Sequence, residues 1–240
     1  VSSLFAIIGR SAGSNGTAIV SGIGSTWSSN GGLSVGAQGT GTLTIEAGGS
    51  VSNSFGIICD TPGSTGTANV TGAGSTWANS SQLYVGRFGN GTLTIAAGGS
   101  VSNTNGFIGP FIGSTGLATV TGANSQWMNS GNLTIGNSGT GTLNIEPGGT
   151  VSVAQDVALL PGGTLNLDGG TLDTASVSFQ GGGAFNFLGG TLHVGIFNGN
   201  LTNVGGALAP GHSAGSTTII GNYTQQAGAK LELEIGGTSA

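Results

Sequence analysis

Charge is what this sequence has least of. Of 240 residues, 5% are charged, against about 25% in ordinary domains. Arg10, Arg87 and Lys230 are the only cations, and eight acidic residues set the net charge at −5. Three scattered cations cannot neutralise a row of phosphates, which excludes nucleic acid as a partner and argues against an anionic membrane surface. No apolar run approaches the roughly 18 residues of a spanning helix. Nor is there the ten-residue strand pattern of a membrane barrel, so no membrane insertion by this segment is expected. The one cysteine, Cys59, allows no internal disulfide. It stands where two other copies of its phrase carry Gly9 and Gly109 ("IICD" against "IIGR" and "FIGP") and reads as a drifted glycine position. Apolar spacing of the i, i+3, i+4 kind is missing, and with it any helix signal.

Glycine, by contrast, is abundant, with 52 residues. A flexible linker would scatter them, but here they keep phase with a repeat. "STWSSNGGLSVG" (25–36), "STWANSSQLYVG" (75–86) and "SQWMNSGNLTIG" (125–136) recur every fifty residues, as do Val1, Val51, Val101 and Val151. Each unit splits again into halves of about 25 residues made of short alternating strands closed by glycine-led turns. Such a unit cannot bury its apolar face alone, and stacking it on its neighbours can. At about 3.3 Å per residue the half-unit has the contour of one coil with three short strands. The expected fold is therefore all-β, a single-stranded parallel β-helix or β-solenoid with coils of about 20–25 residues.

Residues at matching positions should then stack about 4.8 Å apart. Val20, Ile45, Val70, Ile95, Val120 and Ile145 form the expected core column. Beside it Ala18, Leu43, Ala68, Leu93, Ala118 and Leu143 alternate small over large. Leu33 and Val35, Leu83 and Val85, and Leu133 and Ile135 supply another inward pair. Residues 1–150 hold the fifty-residue tandem repeats, two coils each. Residues 151–240 are expected to continue the helix with shorter, irregular coils, ending in an alternating strand at "KLELEIGG" (230–237). Val1 opens no basic-then-apolar leader, and neither end shows a polar cap, so the chain reads as a piece of a longer solenoid.

Catalytic groups are hard to assemble from this composition. Glu46 and Glu146 share a slot but lie four coils, about 19 Å, apart. Glycosidase carboxyls sit about 5 Å apart in retaining enzymes and up to about 9.5 Å apart in inverting ones. Asp168 and Asp173 flank a glycine turn and read as solvated corner residues. His193 reads as an outward strand residue, and His212 sits in a loop beside Ser213, which makes no triad. Zinc spacing and phosphate-cradling loops are missing. The expectation is no enzyme, no cofactor and no metal.

Two surface patterns remain. Trp27, Trp77 and Trp127 recur every second coil, about 10 Å apart, as a row of flat aromatics that could stack on sugar rings or else fill the core. Thr42, Thr44, Thr92 and Thr94 belong to outward threonine columns, with Thr17, Thr67 and Thr142 in the first and Ile19, Asn69, Thr119 and Asn144 mixed into the second. They raise ice binding as a remote reading, although stacked threonines also simply stabilise a sheet surface.

"VTGAGSTW…LYVG…GNGTLTIAAGGSVSN" resembles the repeats in passenger regions of bacterial autotransporters and related large surface exoproteins. "GGALAPGHSAGSTTIIGNYTQQAGAKLELEIGG" (205–237) is similar to the stretch that often follows them. The resemblance implies a secreted, right-handed parallel β-helix at the bacterial cell surface or outside the cell, acting as a stalk or adhesive surface. It carries no catalytic residues. The expected partners are a second copy, meeting end to end or laterally, or a host or matrix polysaccharide or protein. A polysaccharide-binding or polysaccharide-processing β-helix is the alternative.

Overall fold

A computed structural model describes residues 1–210 and 215–233. The chain winds into a parallel β-solenoid of about nine turns, with no helix among the described residues. Three strands make each regular coil. The first face is a ten-stranded ladder that starts Asn15–Ser21, Thr40–Glu46, Thr65–Thr71, Asn90–Ala96, Thr115–Thr121 and Thr140–Ile145. The second runs through Thr26–Ser29, Ser50–Asn53, Thr76–Asn79, Ser100–Asn103 and Ser125–Asn129. The third runs through Gly32–Val35, Phe55–Ile58, Gln82–Val85, Asn105–Ile108 and Leu133–Ile135.

Register follows the sequence columns. On the first face Ile45 pairs with Val70, Val70 with Ile95 and Ile95 with Val120, each twenty-five residues on. Val20, Ile45, Val70, Ile95, Val120 and Ile145 are all buried. Period-two alternation explains this: the β-branched residues point inward and the threonines between them outward.

Of the two readings of the tryptophans, ligand surface or core filling, the structure takes the second and corrects the first. Trp77 and Trp127 are 0% exposed, and Trp27 is half-buried. Neither buried indole can meet a sugar ring. The cause is register: Trp77 pairs with Val51 and Val101, twenty-six residues back and twenty-four on, and so falls on the inward parity.

The fifty-residue period is a packing rule. On the second face the inward column reads Trp27, Val51, Trp77, Val101, Trp127, Val151. On the third it reads Leu33, Gly56, Leu83, Gly106, Leu133. Each glycine leaves the room that the neighbouring tryptophan fills. A Cβ on Gly56 would meet Trp77 at 2.9 Å and Asn79 Oδ1 at 2.5 Å, and one on Gly106 would meet Asn129 Oδ1 at 2.6 Å. Interiors pack to crystal-like density, so large and small must alternate in step on all faces.

A polar seam accompanies the indoles. Trp77 Nε1 donates to Asn53 Oδ1 at 2.7 Å, and Asn53 Nδ2 donates to Asn79 Oδ1 at 2.6 Å. Trp127 Nε1 likewise donates to Asn103, and Asn103 to Asn129, at the same two distances. These buried amides supply the partner that a buried indole N–H requires. In the first repeat Ser3 and Ser29 occupy the asparagine slots, and both Trp27 Nε1 and Ser3 Oγ lack a partner. Ala6 also stands in the glycine column there, with a methyl that Gly56 and Gly106 lack.

After residue 150 the second and third faces fuse into long bent strands, Gly149–Leu159, Thr171–Phe179 and Thr191–Asn198. Coils shorten, so that Thr164 pairs with Ala184, twenty residues on. The core continues without tryptophan through Val151, Leu172, Leu192 and Leu208, with Phe187 and Phe197 filling the first and third faces. The strand expected over 230–237 is limited to Lys230–Leu231, Glu232 and Leu233 are exposed and outside it, and 234–237 lies outside the described residues.

Candidate functional site

Three outer surfaces present chemistry. The first is a groove along the bend between the second and third faces. Small residues turn this corner in coil after coil, among them Ser80, Thr104, Ala154 and Gly195, and leave a channel of about 660 Å³. It crosses six coils, or about 24 Å at 4.8 Å per step. Asn79, Asn103 and Asn129 lie beneath it, buried, because they belong to the polar seam. Asn129, 3% exposed, ends that seam. Its Nδ2 has no partner, and the next coil places Val153 in the column.

The groove walls are neutral apart from Asp173. Ser102 and Ser152 offer hydroxyls, and Met128, 41% exposed, is the apolar contact between them. Asp173 lies on the strand Thr171–Phe179, half-buried and in register with His193, which corrects its placement at a solvated corner. His193 points outward on its strand, half-buried, and Asp168 is exposed, whereas His212 lies outside the described residues. The groove thus sets a single carboxylate among hydroxyls and amides. One carboxylate cannot by itself supply the acid and base of glycoside hydrolysis. Among the described residues no three His, Cys, Asp or Glu gather to hold a metal.

The second surface is the outer side of the first face. Thr42, Thr44, Thr92 and Thr94 are half-buried on strands whose partners continue both columns. The first column runs Thr17, Thr42, Thr67, Thr92, Leu117, Thr142, Thr164. The second turns from threonine to amide, with Asn166 Nδ2 donating to Asn144 Oδ1 at 2.8 Å and Asn186 Nδ2 to Asn166 Oδ1 at 2.7 Å. Sequence reading followed this column only as far as Asn144. The phrases "LNIE", "LNLD" and "FNFL", each with asparagine after a large apolar residue, carried the rest.

The third surface escaped sequence reading. Where the third face turns into the first, Tyr84 stacks on Phe107 with centroids 4.8 Å apart, and Phe88 on Phe111 at 4.7 Å. Arg87 lies over both Tyr84 and Phe88 and bonds Asp60 at 2.7 Å. The signal was available as a departure between copies: "LYVGRF" stands where the first repeat has "LSVGAQ".

Cys59 faces inward at the same turn. It holds φ +67°, as Gly109 holds +60° in its slot, and its thiol donates to Asn90 O at 2.8 Å. Burial pushes the thiol up to about 11, outweighing the lowering by hydrogen bonds with Ser64 and Gly66. A neutral, enclosed thiol is no nucleophile. Asp156 accepts hydrogen bonds from Ser176 and Ser178 at 2.6 Å each, a carboxylate tied to the serines of the next coil.

No family model matches the chain, and no curated protein does. A solved structure described as "TibC-catalyzed hyper-glycosylated TibA55-350 fragment" aligns at 18% identity and a TM-score of 0.42, over 95% of this chain and 100% of that one. The functional reading therefore stands on the geometry of the three surfaces.

Proposed function

We propose that this chain is a non-catalytic extracellular rod, a stalk or adhesive passenger segment of a bacterial surface protein. One observation carries the reading: an uninterrupted buried column beneath outer faces of threonine, serine and asparagine that bear almost no charge. Every strand of a middle coil is hydrogen-bonded to the coil on either side, which makes the shaft stiff. Its neutral surface offers many weak hydrogen bonds rather than a few strong ionic ones. Partners of matching chemistry are a neutral matrix polysaccharide, a host protein surface, or a second copy laid alongside or end to end.

Display of the chain on a non-adherent bacterial cell tests the role. Adherence to immobilised matrix that persists in high salt is expected, because hydrogen bonds between neutral groups are not screened as ion pairs are. Adherence lost at moderate salt, or no gain over bare cells, would overturn it. Polysaccharide binding, without processing, is the second reading, favoured by the 24 Å length of the neutral groove, about the span of several sugar units.

A further inference from the structure

The repeats act as internal controls for one another. Inward residues keep their character from copy to copy, as Leu33, Leu83 and Leu133 do. Outward residues vary more, and at one turn the variants gather. Tyr84, Arg87 and Phe88 replace Ser34, Ala37 and Gln38 of the first repeat and Thr134, Asn137 and Ser138 of the third. Half a unit on, Phe107 and Phe111 replace Ile57 and Thr61. Coils fold without these rings, so the cluster is not needed to close the turn.

Its geometry makes a step. Stacked partners sit on adjacent coils, so their ring faces look along the axis. Tyr84 and Phe88 are covered on one side by Phe107 and Phe111 and approached by Arg87. Beyond Phe107 the next coil carries Thr134 in register, and beyond Phe111 it carries Asn137 and Ser138, with Ser138 N–H donating to Pro110 O at 3.3 Å. Each stack thus ends on a half-buried phenylalanine, and the next coil lays a tread of short polar residues beside it.

A depression of about 370 Å³ takes in the Asn137–Ser138 end of the tread, with Ser114 and Thr140 in its lining and the rings outside it. That volume lies at the scale of small-molecule sites, about 300–1,000 Å³. Asn137 holds φ +133°, a conformation that side chains rarely adopt, and such backbone strain gathers where ligands are held. Ile112, 83% exposed, flanks Phe111. Arg87 is neutralised by Asp60 on the coil behind the rings, so the tread presents no formal charge.

The geometry points to a subsite for a neutral pyranose chain, with the C–H face of a sugar against Phe111 or Phe107 and its hydroxyls on Thr134, Asn137 and Ser138. An apolar ring beside short polar groups matches a sugar, which is apolar on its faces and polar at its rim. A protein partner would need a wider apolar surface than this step provides. The inference names a ligand class for a surface that the rod role does not require, and the rod stands if the step binds nothing.

Titration of the chain with cellopentaose, mannopentaose and β-1,4-galactopentaose, followed by isothermal calorimetry, tests it. Binding of at least one of them is expected. Phe111→Ala should weaken that binding roughly tenfold, in the range set by losing one aromatic anchor. Ser138→Phe continues the stack over the tread and should abolish binding with the melting temperature unchanged. Phe111→Trp should retain it. Failure of all three sugars to bind at millimolar concentration, or binding that survives both Phe111→Ala and Ser138→Phe, overturns the subsite. Loss of adherence to a matrix protein in both variants without any sugar binding would assign the step to a protein partner and overturn it as well.

Discussion

The first fifty-residue repeat and the two that follow are written in nearly the same words and packed differently. In the second and third, each indole is sealed in the core and donates to an asparagine of the coil before it. In the first, Trp27 lies beside Asn15–Ser21, the end strand of the ten-stranded ladder, so it stays half-buried, and with Ser3 in the asparagine slot its N–H is unanswered. A tryptophan in the right column is therefore insufficient. Its N–H is answered where the neighbouring coil provides an amide.

The largest test of this contrast compares Trp127→Ala with Trp27→Ala. Removing a fully buried indole costs about 3–5 kcal/mol, while the half-buried copy should cost under about 2 kcal/mol. Urea unfolding of the two variants gives both values, and equal losses would mean that the seam contributes nothing. Next in size is Asn103→Ala, which strands the Trp127 N–H and removes a donor to Asn129. An unsatisfied buried donor costs about 1–3 kcal/mol, and Ser3→Ala, which breaks no bond, should cost nearly nothing in the same melts.

Cys59 sets the first and third copies of its turn against the second. Its thiol is raised from 9.0 to about 11 by burial. Below pH 9 it is protonated folded or unfolded. Between pH 9 and 11 only the unfolded chain gives up the proton, so stability falls as pH rises, by at most about 3 kcal/mol across two units. Cys59→Gly should remove that slope. At pH 7 it should change stability by less than about 1 kcal/mol, since relief of the left-handed backbone offsets the lost packing. Unfolding at pH 8 and pH 10.5 measures both. The smallest expected effect is a gain: Ser3→Asn should give the Trp27 N–H its acceptor and add about 1 kcal/mol in the same urea melts.

Much of the fold was legible because the first face keeps a strict interval of twenty-five residues, so Val70 and Ile95 align by counting. The second face does not keep that interval. Counting twenty-five from Trp77 reaches Ser102, an outward residue, whereas the true partner is Val101. One residue of corner length inverts the face, so counting alone left the tryptophans open between a ligand surface and the core. Asn53 and Asn103 were passed over for a different reason. Asparagine reads as a turn or surface residue, and its burial here depends on a side chain twenty-four residues away. The aromatic corner is invisible residue by residue and emerges only when copies are subtracted from one another.

The alternation of tryptophan and glycine also limits how such a molecule can change length. Deleting one coil would bring Leu43 onto Leu93 and Val51 onto Val101, a void beside a collision, whereas deleting two restores every neighbour. Recombination between copies can therefore extend or trim the shaft only in increments of two coils, about 10 Å each. Sister genes that differ in reach should differ by multiples of fifty codons.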